Sequence, residues 1–233
     1  MKSPFTGGEA RLMREPRELV FRKEKFTYIA HYYECVDTQE QFTTTELDTL
    51  NINQVYNQYR VKYGIPFPDE ISSIRALYGL SASKMSKILG LGINQYRLYE
   101  NGEIPSESIG KVLKSILNPD IFSDFVKNAE NQFSPHDYTV IVEKLKCSVK
   151  RIDGVDNPRR IFGAYPRSIM NGYAEQSYNK LKNIILFFIN GCESVFNTKM
   201  NKLLFYTDFA SYKRRGTGIS GLAYKAIQYG PVP

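Results

Sequence analysis

Residues 81–102, SASKMSKILGLGINQYRLYENG, carry side chains suited to recognition of double-stranded DNA. The amides of Asn94 and Gln95 can bond adenine bidentately, and the Arg97 guanidinium can reach guanine or a phosphate. Two serines and a lysine at the start of the segment precede or begin a predicted helix, where a phosphate is favoured. The candidate DNA-binding residues are Ser81, Ser83, Lys84, Ile93, Asn94, Gln95, Arg97 and Leu98.

Short helices are predicted to position this surface. Their expected bounds are 69–78, Ser81 or Ser83 to Leu89, 93–100, and a fourth helix beginning at Ser106. A three-residue turn, 90–92, contains two glycines that permit a steep crossing of the second and third helices. The apolar residues expected to meet there are Met85, Ile88 and Leu89 with Leu91, Tyr96 and Tyr99. The same pattern also fits a helical bundle that never contacts nucleic acid.

The net charge of +7 is unevenly placed along the chain. Residues 148–233 hold 13 basic and 5 acidic side chains, whereas residues 1–147 together sum to −1. Bulk charge therefore gives no support to DNA binding by the middle region, and that prediction must rest on local geometry.

The whole chain is predicted to be α+β and mostly α. Residues 17–45 alternate and are rich in aromatic and β-branched side chains, which predicts two or three antiparallel strands with turns near 23–24 and 37–39. A helix with Thr45 as its N-cap and Gly64 as its stop is expected next, followed by a boundary at the prolines of IPFP. The predicted organisation is an N-terminal β-rich region (1–66), a helix-turn-helix region (67–147), a linker (148–172) and a helical C-terminal region (173–233).

Several classes of function are not indicated. No run is apolar enough to span a bilayer, and the N-terminus has no secretory pattern. The two histidines, His31 and His136, lie in no nucleophile or metal motif, and there is no glycine-rich phosphate loop. Three distant cysteines favour reduced thiols in a cytosolic protein. We therefore expect a cytoplasmic protein that is not an enzyme, has no cofactor and does not interact with membranes.

Residues 79–105, GLSASKMSKILGLGINQYRLYENGEIP, resemble the Xre/Cro helix-turn-helix family and, more closely, the DNA-binding half of MqsA-type antitoxins. The shared features are the glycine-rich turn, an asparagine and the ending Tyr-Glu-x-Gly. Asn94 matches the base-reading asparagine of that group. Its base-reading arginine falls on Leu98, whereas this chain has Arg97 one position earlier. The resemblance implies a homodimer bound to a palindromic operator.

MqsA-type antitoxins usually open with a zinc domain containing two Cys-x-x-Cys pairs. Here Ser3 and Thr6 occupy the spacing of the first pair, and Cys35 and Thr38 that of the second. Neutral hydroxyls are poor zinc ligands, and a structural site needs four strong ones. The sequence therefore predicts no metal site, and toxin binding would require another element.

Residues 202–233, KLLFYTDFASYKRRGTGISGLAYKAIQYGPVP, resemble the start of the Panacea domain, also called the SocA-like domain, of antitoxins. The matching features are the Lys-Leu-Leu-x-Tyr-x-Asp helix, the Gly-Ile-Ser-Gly-Leu-x-Tyr turn and the Tyr-Gly-Pro-Val-Pro ending. Because the domain continues further in that family, it is expected to be cut short here. The candidate toxin-binding residues are Tyr206, Asp208, Tyr212, Lys213, Arg214 and Tyr229.

Together the two resemblances imply an antitoxin of a type II toxin–antitoxin system. Such a protein would repress its own operon through the helix-turn-helix and neutralise a cognate toxin by direct binding. The alternative is a prophage-associated transcriptional regulator, or a proteolytic adaptor, without a toxin partner.

Overall fold

The computed structural model describes residues 1–152, 165–228 and 230–233. The protein is α+β, as predicted, with about half of its residues in helices. It divides into two compact units, one formed by Met1–Gln58 together with Pro158–Pro233 and the other by Tyr59–Asn157. The first unit thus combines the N-terminal sheet with the C-terminal segment, which sequence analysis assigns to separate domains.

A long β-hairpin opens the first unit. Strand β1 (Ala10–Phe21) pairs antiparallel with β2 (Glu24–Cys35), and the short β3 (Gln41–Phe42) adds to the end of β2. The predicted sheet and both of its turns are present, but β1 begins at Ala10 rather than 17. Proline argues against a strand interior, yet Pro16 is accommodated because β1 is an edge strand of the sheet.

The hairpin turn places two ordinary residues in the left-handed region, with φ of 47° at Arg22 and 71° at Lys23. A two-residue turn with positive φ at both positions is the type that matches the twist of the strands. We expect Lys23→Gly to raise the free energy of unfolding by about 1 kcal/mol, since glycine adopts positive φ without the cost borne by other residues. Urea unfolding measures this change.

The matched control is Lys25→Gly, which places glycine inside β2 and should lower stability by about 0.5–1 kcal/mol. Equal effects of the two substitutions would contradict the role assigned to the turn.

Helix α1 (Thr45–Tyr63) begins one residue earlier than predicted, with Thr45 inside it, and is followed by the predicted stop Gly64, whose φ is +61°. The backbone N–H of Leu47 donates to the Thr44 hydroxyl at 3.3 Å, so Thr44 rather than Thr45 supplies the side-chain oxygen at its start.

Amide side chains of α1 satisfy the backbone of β2 along the edge that β3 leaves open. The interacting pairs are Gln58 with Thr27, Gln54 with Ile29, and Asn51 with His31, at 2.8–3.1 Å. Residues at this helical spacing share one helix face, and alternate strand residues present their backbone groups to one edge. The ladder fixes the hairpin against α1 and occupies donors and acceptors that an edge strand otherwise exposes.

The second unit is a helical bundle around one apolar core. Its helices are α2 (Pro68–Tyr78), α3 (Ala82–Ile88), α4 (Gln95–Glu100), α5 (Glu107–Ser115), α6 (Pro119–Asn128) and α7 (Pro135–Ile152). At its centre the buried ring of Tyr78 stacks on Phe122 with centroids 4.0 Å apart, and its hydroxyl donates to the Ile116 carbonyl at 2.5 Å. Burial raises the pKa of Tyr78 to about 12, so the hydroxyl remains a donor at neutral pH.

Helix α7 continues into residues 148–152, which the sequence pattern assigns to a linker. The buried Ser148 hydroxyl donates to the Leu77 carbonyl of α2 at 2.8 Å. This contact stabilises α7 at the position where the helical spacing of apolar residues ends in the sequence. The central part of the predicted linker, 153–164, lies outside the described residues.

The C-terminal part of the first unit contains two helices and a small hairpin. Helix α8 (Tyr178–Gly191) begins after Ser177, whose hydroxyl accepts from Lys180 N. Helix α9 (Asn197–Arg215) has Phe196 at its N-cap, with no side-chain capping hydrogen bond. Strands β4 (Lys225–Ile227) and β5 (Gly230–Val232) follow. Over the described ranges, no helix has the length and apolar character needed to cross a bilayer.

Candidate functional site

The α3 and α4 helices carry the predicted DNA-binding residues. The Ser81 hydroxyl accepts from Lys84 N at 3.2 Å and so caps α3, as predicted. The connection to α4 is longer than expected, because α4 starts at Gln95 rather than at 93. Asn94 occupies the N-cap position, but its side chain makes no capping hydrogen bond.

Buried contacts hold α4 in place. The side chain of Tyr96 is completely buried, and its hydroxyl donates to the Ile71 carbonyl of α2 at 2.8 Å. Its backbone N–H donates to the buried Ser86 hydroxyl of α3 at 3.1 Å. Burial and, to a smaller extent, the negative charge of Glu100 raise the pKa of Tyr96, so its hydroxyl stays protonated. Helix α4 is therefore anchored to two other helices by a single residue.

The Tyr-Glu-x-Gly ending has a clear structural role. Glu100 accepts from Arg75 of α2 at 2.6 Å, with both side chains largely shielded from solvent. Met85, Ile88 and Tyr99 are buried in the core, as predicted from their spacing. These interactions orient α4 through its inner face and leave the opposite face available.

Four of the predicted DNA-binding residues are exposed in or directly beside α4. Arg97 and Leu98 lie on the helix, and Ile93, which is 76% exposed, and Asn94 immediately precede it. The half-buried Gln95 instead donates to Glu103 at 2.7 Å. The structure thus brings an amide, a guanidinium and two apolar side chains onto one surface. That these residues read DNA stays a prediction.

The predicted phosphate contacts lie on α3. Ser81 and Ser83 are exposed at its start. The Lys84 ammonium lies 2.8 Å from a carboxylate oxygen of Asp137 in α7, and this hydrogen bond, followed by one from Ser134, lowers the pKa of Asp137. Lys84 therefore ties α3 to α7, and a phosphate would have to compete with Asp137 for it.

The first unit has a cluster of hydroxyls around the buried Cys35 thiol. The Ser3, Thr38 and Thr6 hydroxyls, in that order of effect, hydrogen-bond the sulfur and lower the pKa of Cys35 to about 6. The Thr6 oxygen lies 3.5 Å from the sulfur and also donates to Asp37 at 2.8 Å. Thus the residues at the spacing of two metal-binding pairs do converge. Within the described ranges, histidine, cysteine and acidic side chains nowhere form a group of three that could hold a metal ion.

The lowered pKa of Cys35 makes stability depend on pH. Between the folded value of about 6 and the ordinary value near 9, the unfolded chain binds more protons than the folded one. The free energy of unfolding should therefore rise with pH across this interval, and this contribution should be lost as pH falls through 6. Urea unfolding at several pH values measures the slope.

Cys35→Ala should flatten that slope, whereas Cys192→Ala, a control in the same unit, should retain it. An identical slope in the native protein and Cys35→Ala would contradict the assignment.

Asp208 organises the predicted toxin-binding segment. One carboxylate oxygen accepts from the backbone N–H groups of Ile219 and Ser220 at 2.7 and 2.8 Å. The other accepts from the Ser220 hydroxyl and from the Tyr224 hydroxyl at 2.7 Å. Burial, followed by the hydrogen bond to Asp208, raises the pKa of Tyr224, so this donor stays protonated. The carboxylate thereby closes the loop 217–224 onto α9.

Ser220 and Tyr224 were missed as partners of Asp208, since no spacing rule connects a helical residue to a loop 12 to 16 positions later. Among the other candidates, Tyr206, Lys213 and Arg214 are exposed and Tyr212 is half-buried. Tyr229 lies outside the described residues.

The C-terminus of α9 is fixed by polar contacts within the first unit. Gly216, with φ of +71°, ends the helix, and its carbonyl accepts from the buried Asn57 amide of α1 at 3.1 Å. The Ser211 hydroxyl donates to the Thr217 carbonyl at 2.7 Å. The exposed side chains of α9 are consequently presented from a well-anchored helix.

Comparison of the chain with curated proteins and with solved structures gives no match. The resemblance of residues 79–105 to helix-turn-helix antitoxins therefore stays a prediction. Residues 200–233 match a family model described as the antitoxin SocA-like Panacea domain. This match confirms the resemblance at the C-terminus and relates this segment of the chain to toxin–antitoxin systems.

Proposed function

We propose that this protein is an antitoxin that neutralises a cognate toxin by direct binding and represses its own operon. The match of residues 200–233 to the Panacea domain is the observation that carries the proposal. In that segment Asp208 holds the loop and the helix together, so the exposed side chains of α9 form a fixed surface. A fixed surface loses little conformational entropy on binding a partner.

DNA binding by α4 is the second part of the proposal. Its support is the exposed group of Asn94, Arg97 and Leu98 on a helix anchored by Tyr96 and Glu100. Asparagine can bond adenine bidentately, and an arginine can bond guanine or a phosphate. A homodimer would present two copies of this surface to the two halves of a palindromic operator. Light scattering on the purified protein, alone and with operator DNA, measures the oligomeric state.

The base-reading role predicts a specific loss in Asn94→Ala. Binding to the DNA upstream of the gene should weaken by about 1–3 kcal/mol, while binding to scrambled DNA should stay nearly unchanged. A salt-titrated gel shift with both DNAs measures the two affinities. The matched control is Asn128→Ala, which removes another exposed amide in the same unit. Equal losses on both DNAs would remove Asn94 from base reading.

Toxin neutralisation is tested by expressing small open reading frames adjacent to the gene, with and without this protein. Growth arrest relieved by the protein supports the antitoxin function. If no neighbouring product is toxic while specific operator binding is retained, the protein is instead a transcriptional regulator without a toxin. Protease-dependent loss of a neighbouring product would identify a proteolytic adaptor.

A further inference from the structure

A cavity of about 520 Å³ opens on the surface of the first unit. Residues of β2, α9 and the segment before α8 form its apolar lining: Tyr28, Ile29, Ile169, Tyr173, Phe209 and Tyr212. We call this cavity the apolar groove. Of the residues at the groove, the sequence predicted a binding role for Tyr212 and Lys213, and it did not connect them with the rest of the lining, which combines positions far apart in the chain.

The apolar surface extends beyond the cavity itself. Ile169 is 65% exposed and Phe209 is 56% exposed, and the neighbouring Met170 and Tyr206 are also exposed. The cavity volume alone would suit a small ligand. Contiguous exposed apolar surface around it is typical of protein-binding sites. The high exposure of Ile169 and Phe209, which line the cavity, therefore favours a protein segment over a small molecule.

Three polar side chains at the groove already make hydrogen bonds within the fold. The Gln54 and Gln58 amides bond the backbone of β2, and the His31 ring bonds the Ile29 carbonyl at 2.9 Å. These three groups are therefore less available to a ligand, and the apolar and charged side chains remain to recognise it.

The charge at the groove is positive. Arg14 and Lys213 contribute to its lining and are exposed, and no acidic side chain of the described residues lines it. Arg214 and Arg215 follow Lys213 in the last turn of α9. Asp208, the acidic residue of that helix, is engaged by donors from loop 217–224. An acidic partner would complement this surface.

The same charges argue against a second copy of the chain as occupant. In a two-fold dimer the same patch meets itself, so Arg14 and Lys213 would face their own counterparts. Like charges placed across an interface are unfavourable, whereas a complementary acidic surface both attracts and orients.

We propose that the apolar groove binds a segment of an acidic partner protein, with a large apolar side chain in the cavity and flanking carboxylates paired with Arg14 and Lys213. The identification of that partner as the toxin rests on the proposed function. The chemistry of the groove does not, since it follows from the lining and its charge.

A random-peptide library displayed on phage and selected against the full chain tests this assignment. Selected peptides should combine an aromatic or large aliphatic residue with flanking Asp or Glu. Phe209→Glu should weaken binding of the synthesised peptides by roughly 30-fold or more, as expected for loss of a central apolar anchor. Phe187→Glu, which alters an exposed phenylalanine of α8 outside the groove, should leave it unchanged.

Charge reversal supplies a second test that leaves the apolar lining intact. Arg14→Glu combined with Lys213→Glu should weaken the binding of acidic peptides about ten-fold or more. The matched pair Lys182→Glu with Lys225→Glu changes net charge equally at exposed positions outside the groove and should have little effect. Failure to select any groove-dependent peptide, selection of neutral or basic peptides, or equal binding to native protein and Phe209→Glu would each overturn the proposal.

The growth assay separates this inference from the proposed function. If the native chain and Phe209→Glu relieve toxicity equally, the groove is not the toxin site although the protein is an antitoxin. If no toxin is found but the selected peptides are acidic and bind in the groove, the proposed antitoxin function is wrong and the groove assignment is supported.

Discussion

Tyr96→Ala is expected to lower the free energy of unfolding of the second unit, the helical bundle, by about 4 kcal/mol. The side chain is completely buried and connects α4 to α2 through the hydrogen bond to Ile71. Truncating a buried large aromatic residue in a core typically costs about 3–5 kcal/mol, because apolar contacts are lost and a cavity remains. Urea unfolding followed by circular dichroism, together with fluorescence of the tyrosine-rich core, measures the loss.

Tyr96→Phe is the matched control. It keeps the ring and removes only the hydroxyl, and the Ile71 carbonyl sits within α2, where the helix supplies another donor. The expected loss is therefore about 1 kcal/mol. If the two variants lose the same stability, the hydroxyl rather than the ring carries the interaction, and the packing account of α4 is wrong.

Both variants also inform the DNA-binding proposal. If Tyr96→Ala displaces α4, this variant should bind both specific and scrambled DNA more weakly. Asn94→Ala should weaken only the binding to specific DNA. The comparison separates the residue that anchors the helix from the residue proposed to read bases.

Asp208→Ala is expected to lower the free energy of unfolding of the first unit by about 3 kcal/mol. Its carboxylate accepts from two backbone N–H groups and two hydroxyls, and hydrogen bonds to a charged group are worth about 1.5–3 kcal/mol each, without being additive. Alanine would leave these donors without their acceptor. Ser220 is buried, so its hydroxyl and N–H would lose their acceptor away from solvent.

Hydrogen exchange gives the sharpest measurement for this variant. The amides of Ile219 and Ser220 should exchange much faster in Asp208→Ala, since both donate to the carboxylate. Glu193→Ala removes an exposed acidic side chain of the same unit and should change stability by less than about 0.5 kcal/mol. Unchanged exchange at Ile219 would contradict the role given to Asp208.

Asp208→Ala should also weaken partner binding at the groove without altering any lining residue. The loop that it holds packs against α9, the helix that contributes Phe209 and Tyr212 to the lining. Peptides selected on the native protein should bind this variant less tightly, which provides a readout beyond stability.

The local sequence contained enough information to predict most secondary structure. Alternation and turn residues predicted the antiparallel sheet and its turns, and apolar spacing predicted which residues of α3 and α4 are buried. The start of β1 was missed, and the missed part includes Pro16, a residue that a central strand disfavours and an edge strand tolerates. Residues 148–152 were missed as helix because the Ser148–Leu77 contact, not local periodicity, extends α7.

The sequence by itself determined most of the elements, most of the exposed residues in and beside α4 and the Panacea resemblance of the C-terminus, because each depends on residues within a few turns or on a contiguous motif. The tertiary structure alone decided that the N-terminal hairpin and α9 belong to one compact unit and that their residues line one apolar groove. It also decided that Asp208 holds a loop and that Lys84 pairs with Asp137. The physical reason is that long-range contacts depend on how whole elements pack, and local spacing carries no record of which distant side chains will meet.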